Sequence, residues 1–164
     1  MAIPEVIPIR HEPGYRTENI GRYDDGQFFA SITAAYPPGY RMGPDWLEHR
    51  RWFAVLHRFG ADGHHTGSDI WTPGPGVPAD GRLDAKMEGW LDELPGLVFG
   101  DIAIRPFEVT VDGIRFGLVA ERHAPPAPGA AGGGADAGED EPDWAELYPD
   151  RLGFHEPWDG LYDT

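Results

Sequence analysis

Three of the Asp-Gly pairs in this 164-residue chain interrupt runs of alternating apolar residues, and they constrain its fold more than any other feature. Asp-Gly favours two-residue hairpin turns, because both turn positions need positive φ angles that these residues tolerate. The clearest pair, Asp112-Gly113, predicts a β-hairpin with one register. In that register the apolar partners, all on one face, are Val111 with Ile114, Val109 with Phe116, and Phe107 with Leu118.

The other two pairs, Asp25-Gly26 and Asp62-Gly63, predict two further hairpins. Their paired segments are 15–23 with 27–36 and 51–59 with 64–72, and the inner face of 27–36 carries Phe28, Ala30, Ile32 and Ala34. Residues 51–59 are apolar at both parities, which predicts a central strand covered on both faces. The alternation of apolar residues before the hairpin at Asp112-Gly113 changes phase at Pro106. We expect a bulge or bend there, because proline cannot donate a ladder hydrogen bond.

Residues 80–94 have the periodicity of an amphipathic helix. Asp80 is a suitable N-cap, and Pro95-Gly96 is expected to end the helix. The apolar stripe, with Trp90 central, consists of Leu83, Met87, Trp90, Leu91 and Leu94, and the residues facing away are Asp84, Glu88 and Asp92. The order of hairpins and helix predicts an α+β fold, with an antiparallel sheet of about six strands and one main helix on a face.

Composition divides the chain into three parts. Residues 1–122 carry the hairpins and the helix and are predicted to form the α+β domain. Residues 123–142 are rich in glycine, proline and alanine and lack large apolar groups, so we expect a disordered linker. Residues 143–164 are aromatic-rich, which predicts that they pack back on the same domain as a docked tail, with a short helix at 143–148.

Four aromatic side chains of segment 143–164 are candidates for partner binding: Trp144, Tyr148, Trp158 and Tyr162. Tryptophan and tyrosine are typical anchors where proteins bind one another. The same rings can also complete the protein's own core. The sequence therefore leaves two interpretations of this segment open.

Charge and composition exclude several classes of function. The formal net charge of −15 repels nucleic-acid phosphates, so we expect no direct nucleic-acid binding. No run approaches the roughly 18 apolar residues that cross a bilayer, and the first residues lack the pattern of a signal peptide. We therefore expect a cytoplasmic protein without a membrane partner. The chain has no cysteine, which excludes disulfides and thiolate catalysis.

Patterns typical of nucleophilic catalysis are sparse. The two serines, Ser31 and Ser68, lie outside any Gly-x-Ser-x-Gly elbow. Ser68 is close in sequence to His64, His65 and Asp69, but adjacent residues of a strand point to opposite faces. We therefore predict no catalytic residues.

One group of residues suggests a metal site. His57 and either His64 or His65 lie on the two sides of the turn at 61–63, and Asp69 follows further along. Zinc requires a third or fourth ligand, which this pattern does not supply. We therefore predict neither a metal site nor a cofactor.

Six segments outside the linker are HEPGYRT (11–17), GRYDDGQFFAS (21–31), ADGHHTGSDIW (61–71), GDIAIRPF (100–107), DWAELYPD (143–150) and GFHEPWDG (153–160). Together they resemble a group of actinobacterial proteins labelled formate hydrogenlyase regulatory proteins. For the members that carry this name, the resemblance implies a small cytoplasmic negative regulator of formate hydrogenlyase gene expression, which acts on a transcriptional activator. The resemblance assigns no functional residue to this chain.

These observations favour a non-enzymatic regulatory protein that acts by protein–protein contact. One alternative is an acidic binding protein of the immunity or antitoxin type, because a small acidic protein suits a basic toxin. Another alternative is a metal-dependent enzyme of an unrecognised type. The first two interpretations both require a protein partner.

Overall fold

A computed structural model describes residues 3–121 and 143–163, which form eleven strands and two helices. All pairs of neighbouring strands are antiparallel. The elements in chain order are β1 (Ile7–Ile9), β2 (Ile20–Tyr23), β3 (Gly26–Ala35), α1 (Trp46–His49), β4 (Arg51–Phe59), β5 (His65–Trp71), α2 (Gly81–Asp92), β6 (Val98–Phe99), β7 (Ile102–Ile104), β8 (Phe107–Val111), β9 (Ile114–Glu121), β10 (Trp144–Tyr148) and β11 (Leu152–Phe154).

The strands form three sheets rather than one. The largest has five strands in the order β5-β4-β3-β2-β6, the second has four in the order β11-β10-β9-β8, and the third is the pair β1-β7. The expected antiparallel architecture with few helices is confirmed, whereas a single sheet of about six strands is wrong. The physical reason is that β3 and β4 are apolar on both faces, so one helix cannot cover them and a second sheet must.

The five-stranded sheet is covered on both sides at β4, as predicted for residues 51–59. We call its two sides the helix face and the sandwich face. The helix face packs against α2 through Phe28, Ala30, Ala54 and Leu56. The sandwich face packs against the four-stranded sheet, and this core includes Phe53, Val55, Ile114 and Phe116. A neighbouring core joins Phe29 and Phe59 to the β1-β7 pair and to β9, β10 and β11.

The hairpin of β8 and β9 has the register that the sequence predicts. Asp112 and Gly113 have φ angles of 51° and 79°, as a type I′ turn requires. The turn between β2 and β3 lies one residue earlier than expected, because Tyr23 pairs with Gly26 and Gly26 already belongs to β3. A Cβ on Gly26 would overlap the carbonyl oxygen of Phe59, so glycine is needed there for close packing against β4.

Pro106 separates two sheets instead of bending one strand. β7 lies before Pro106 and pairs with β1, whereas β8 lies after it and pairs with β9. The expected bulge or bend is therefore wrong. The phase change in the alternation marks the place where the chain leaves one sheet for another.

Helix α2 begins where the sequence predicts. The Asp80 side chain accepts a hydrogen bond from the Arg82 backbone N–H at 2.9 Å, which caps the first turn. Leu83 and Met87 are buried, but Trp90 is only partly buried, although the pattern placed it at the centre of the stripe. Neither α1 nor α2 is long and apolar enough to cross a membrane.

The C-terminal segment contributes strands to the four-stranded sheet. The helix expected at 143–148 is wrong, because β10 occupies this position and pairs with β9 from Trp144↔Glu121 to Tyr148↔Gly117. Ala145 and Leu147 of β10 are buried in the core that they share with β9 and β11. The expected linker at 123–142 lies outside the described residues, and the division of the chain into 1–122, 123–142 and 143–164 stays a prediction.

Candidate functional site

The four candidate partner-binding side chains all contact the protein itself. Trp158 and Tyr162 pack against the core that includes β1, β7 and β11. The Tyr162 hydroxyl accepts a hydrogen bond from the Arg16 backbone N–H at 3.2 Å. The Trp144 indole N–H donates to Glu146 at 3.1 Å. Each of these rings thus has an internal role, and its contact with a partner stays a prediction.

Tyr148 fastens β10 to β9 through its hydroxyl and its ring. The phenol donates a hydrogen bond to Glu121 Oε1 at 2.7 Å. The guanidinium groups of Arg115 and Arg151 lie 4.9 Å and 5.0 Å from the ring centre. Burial, followed by the hydrogen bond to Glu121, raises the pKa of Tyr148 to about 12. Tyr148 therefore stays a neutral donor at physiological pH.

A cluster of His57, Ser68 and His65 lies on the sandwich face beside Phe107; His57 is buried, and Ser68 and His65 are half-buried. Ser68 Oγ lies 2.6 Å from His57 Nδ1 and 2.8 Å from His65 Nε2. Since the hydroxyl has one proton, it donates to one ring nitrogen and accepts from the other. The His65 ring stacks on Phe107 at 4.6 Å between ring centres. Burial, with smaller contributions from His65 and Arg58, lowers the pKa of His57 to about 3.

Asp69 and His64 do not join this cluster. Asp69 pairs with Arg58 at 2.6 Å and faces the other side of the sheet from Ser68, as the alternation predicts. His64 is exposed in the turn before β5. In residues 3–121 and 143–163, no group of three histidine, aspartate or glutamate side chains is placed to hold a metal ion.

A groove of about 720 Å³ lies between α2 and the edge of the five-stranded sheet. Its lining residues from β3 are Ser31 and Ile32, those from α2 are Asp84, Met87, Glu88, Leu91 and Asp92, and those from the loop before β2 are Tyr15, Arg16, Glu18 and Asn19. Leu94, Leu97, Phe99 and Asp150 complete the lining. Because Ile32 points to the helix face and Ser31 to the sandwich face, the groove wraps around the edge of β3.

The groove follows the part of β3 that, among the described residues, pairs with β4 on one side and has no strand on the side of β2. β2 pairs with β3 only as far as Phe29, after which the Ala30 N–H donates to the Asn19 carbonyl at 2.9 Å. Backbone N–H and C=O groups of alternate residues point to the same side of a strand. Since the Ala30 N–H points to the side of β2, the backbone groups of Ile32 and Ala34 also point to that side. Within the described part of the chain, neither residue has a hydrogen-bond partner there.

Asp150 belongs to the turn between β10 and β11 and joins this turn to β3. Its carboxylate accepts a hydrogen bond from the Thr33 hydroxyl and pairs with Arg16 at 3.2 Å. The Asp150 side chain is 6% exposed, and burial raises its pKa against the smaller opposing effects of Thr33 and Arg16. Thr33 and Asp150 are 117 residues apart, so no local sequence pattern indicates their contact.

The groove is acidic and has exposed aromatic rings. Its three α2 carboxylates, which we call the row carboxylates, are Asp84, Glu88 and Asp92, spaced four residues apart on one side of the helix. Arg16 is the one basic residue in the described lining, and it already pairs with Asp150. Tyr15 and Phe99 are 64% and 46% exposed. No sequence pattern indicates either ring as part of a site, because isolated aromatic residues in loops and short strands carry no periodic signal.

Comparison with known proteins gives no relative of this chain: no family model, curated protein or solved structure matches it.

Proposed function

We propose that this chain is a small cytoplasmic regulatory protein without catalytic activity, which acts by binding another protein in the groove between α2 and β3. The observation that carries the proposal is the open edge of β3 inside that groove. The groove offers unpaired main-chain groups, exposed aromatic rings and mainly negative charge. Each of these features contributes to the binding of a protein segment.

The cluster of His57, Ser68 and His65 supports a structural role for Ser68 rather than a catalytic one. A general base near neutral pH needs a pKa close to the working pH. The pKa of His57 is far below that range because the ring is buried. His65 also has a lowered pKa, mainly through burial, and its ring is stacked on Phe107.

The resemblance to formate hydrogenlyase regulatory proteins supports a regulatory role, with a transcriptional activator as the protein that is bound. The acidic lining of the groove favours a second candidate function, an immunity or antitoxin-like protein that binds a basic toxin. The neighbouring genes separate the two: formate-metabolism genes favour the first function, and a toxin gene favours the second.

The proposal is tested by affinity capture from native lysate with three forms of the tagged full-length chain. The first is the wild type, and the second reverses two row carboxylates by Asp84→Lys and Glu88→Lys. The third is a matched control with Glu48→Lys and Glu93→Lys, two exposed carboxylates outside the groove lining. We expect a protein that the wild type and the control enrich and the groove variant loses. Equal recovery by all three forms, or no enriched protein, contradicts the proposal.

A further inference from the structure

We propose that the groove takes an extended segment of the partner, rich in lysine or arginine, which adds as a strand to the open edge of β3. This inference rests on the proposed function and names the kind of segment that the groove binds. In strand addition, main-chain hydrogen bonds supply affinity, and the pockets beside the edge select alternate side chains.

The main-chain part of the site is the pair of residues Ile32 and Ala34. Each directs its N–H and its C=O away from β4 to the open side of β3, where Ile32 lines the groove and Ala34 lies two residues beyond it. An unpaired edge is a template for a further strand, and proteins often protect it with a proline, a charge or a bulge. Here the prolines come only after the strand ends, at Pro37 and Pro38, so the edge itself stays available for pairing.

The charge on the α2 side matches a strand in spacing as well as in sign. Residues four apart in a helix are about 6 Å apart along its axis, because each residue rises about 1.5 Å. Alternate side chains of an extended strand are about 6.6 Å apart. A strand that runs alongside α2 can therefore place a basic side chain near each row carboxylate at every second position.

The apolar groups of the groove lie beside these carboxylates. Met87 and Leu91 line it from α2, and Ile32 lines it from β3. The methylene stems of lysine and arginine can pack on such groups while the charged ends reach the carboxylates. On the sandwich side the added strand meets Ser31 and the ion pair of Asp150 with Arg16. Because Arg16 already balances the charge of Asp150, this side attracts a basic side chain less than the α2 side does. The basic residues of the segment are therefore expected on its α2 side.

A second copy of this chain is the less favourable occupant of the groove. Pairing of two β3 edges would bring two sets of row carboxylates together. The chain already has a net charge of −15, and like charges placed against one another weaken association. A basic segment instead gains from the same charges, so charge complementarity selects the partner.

The test uses the full-length chain labelled with ¹⁵N and a probe peptide of alternating lysine and valine, long enough to span β3. Binding is followed by NMR titration and by amide hydrogen exchange. We expect the largest shift changes at residues 31–35, and exchange of the Ile32 and Ala34 amides slowed by about tenfold or more at saturation. A glutamate–valine peptide of the same length is the control for charge.

Two changes test the mode of binding. A probe methylated at every backbone nitrogen keeps the lysine side chains but loses all its main-chain donors, and we expect its Kd to rise at least about tenfold. On the protein side, Ala34→Pro removes an edge N–H that does not serve β4, and we expect a similar loss. Equal binding of the methylated and plain probes, or no binding of the plain probe, overturns strand addition.

Further outcomes separate this inference from the proposed function and from self-association. If charge reversal at Asp84 and Glu88 abolishes capture of the lysate partner while the probe leaves the Ile32 and Ala34 amides unchanged, strand addition is wrong and the proposed function stands. If neither experiment responds, both are wrong. If the free chain dimerises and its Ile32 and Ala34 amides become protected as concentration rises, a second copy occupies the edge and the proposal is overturned.

Discussion

The two faces of the five-stranded sheet bury similar side chains but are closed to different extents. On the sandwich face Phe53 and Phe116 are fully buried and meet edge to face at 5.0 Å. On the helix face Trp90 and Leu91 of α2 stay partly buried. A second sheet can cover a sheet across its width, whereas one helix about 10 Å across covers about two strands that are about 4.8 Å apart.

This difference predicts that stability and partner binding depend on different parts of the molecule. α2 packs on β4 and β3, and the margin of β3 that it leaves open is the groove. On the sandwich side of this edge, the Thr33 hydroxyl donates a hydrogen bond to Asp150 and so joins β3 to the turn between β10 and β11. We therefore expect substitutions on the sandwich face to change mainly the free energy of unfolding, and substitutions at the margin of α2 to change mainly partner binding.

The largest expected effect is on the sandwich face. Phe116→Ala removes a fully buried ring and should lower the free energy of unfolding by about 3–5 kcal/mol, because the cavity cannot be refilled by neighbouring side chains. Chemical denaturation measures this change. The matched control is Phe99→Ala, since Phe99 is a half-exposed ring in the groove. An equal decrease in the free energy of unfolding for the two variants would contradict the expected difference between the sandwich face and the groove.

The second effect, also on the sandwich face, depends on pH. His57 stays neutral in the folded protein down to pH about 3, whereas in the unfolded chain it takes up a proton near pH 6.5. The unfolded state therefore binds more protons between these values, and the His57 contribution to stability falls as pH decreases through this range. At about pH 5 the loss from this residue is about 2 kcal/mol.

His57→Gln tests this effect, because glutamine keeps a polar group near Ser68 without the titration. The free energy of unfolding of wild type and variant is measured at about pH 7.5 and about pH 5. We expect the acid-induced loss to be smaller in the variant by the His57 contribution. The same loss in wild type and His57→Gln would mean that His57 is protonated in the folded state.

A smaller effect is expected on the helix face. Trp90 is only partly buried, so Trp90→Ala should cost about 1–2 kcal/mol, less than a fully buried ring costs. Thermal and chemical denaturation measure it beside Phe116→Ala. A cost as large as that of Phe116→Ala would show that α2 closes its face as fully as the second sheet does.

The smallest effect on stability is expected at the row carboxylates. Asp84→Asn together with Glu88→Gln should change the free energy of unfolding by no more than about 0.5 kcal/mol, because both side chains are exposed and make no hydrogen bond in the described structure. The same variant should bind the lysine–valine probe more weakly, with a smaller salt dependence. Unchanged probe binding by a stable variant would show that the row carboxylates do not contribute to binding.

Local signals predicted the hairpins and the helix because their determinants lie close together in the chain. The register of β8 and β9 follows from the turn at Asp112-Gly113 and the parity of the residues beside it. The start of α2 follows from the Asp80 cap. The row carboxylates were also predictable as one face of a helix. Their role in a groove was not, because the groove needs β3 and the loop before β2.

Strand β10 shows where local signals are insufficient. Trp-Ala-Glu-Leu-Tyr fits one or two turns of helix as well as a short strand, so periodicity over five residues does not decide between them. The decision comes from β9, whose edge pairs with β10 residue by residue. That partner is distant in sequence, and hydrogen bonds to it outweigh the weak preference of the segment itself.

By itself the sequence determined the antiparallel hairpins, the start of α2 and the acidic charge of the molecule, since turn chemistry, helix capping and composition act over a few residues. Only the tertiary structure decided the division into three sheets, the burial of His57 and the contact of Asp150 with Thr33. It also decided which edge stays open, because β2 begins only at Ile20, opposite Phe29, while β3 continues to Ala35. An edge is defined by the strand that is missing beside it, and no single segment of a sequence encodes that.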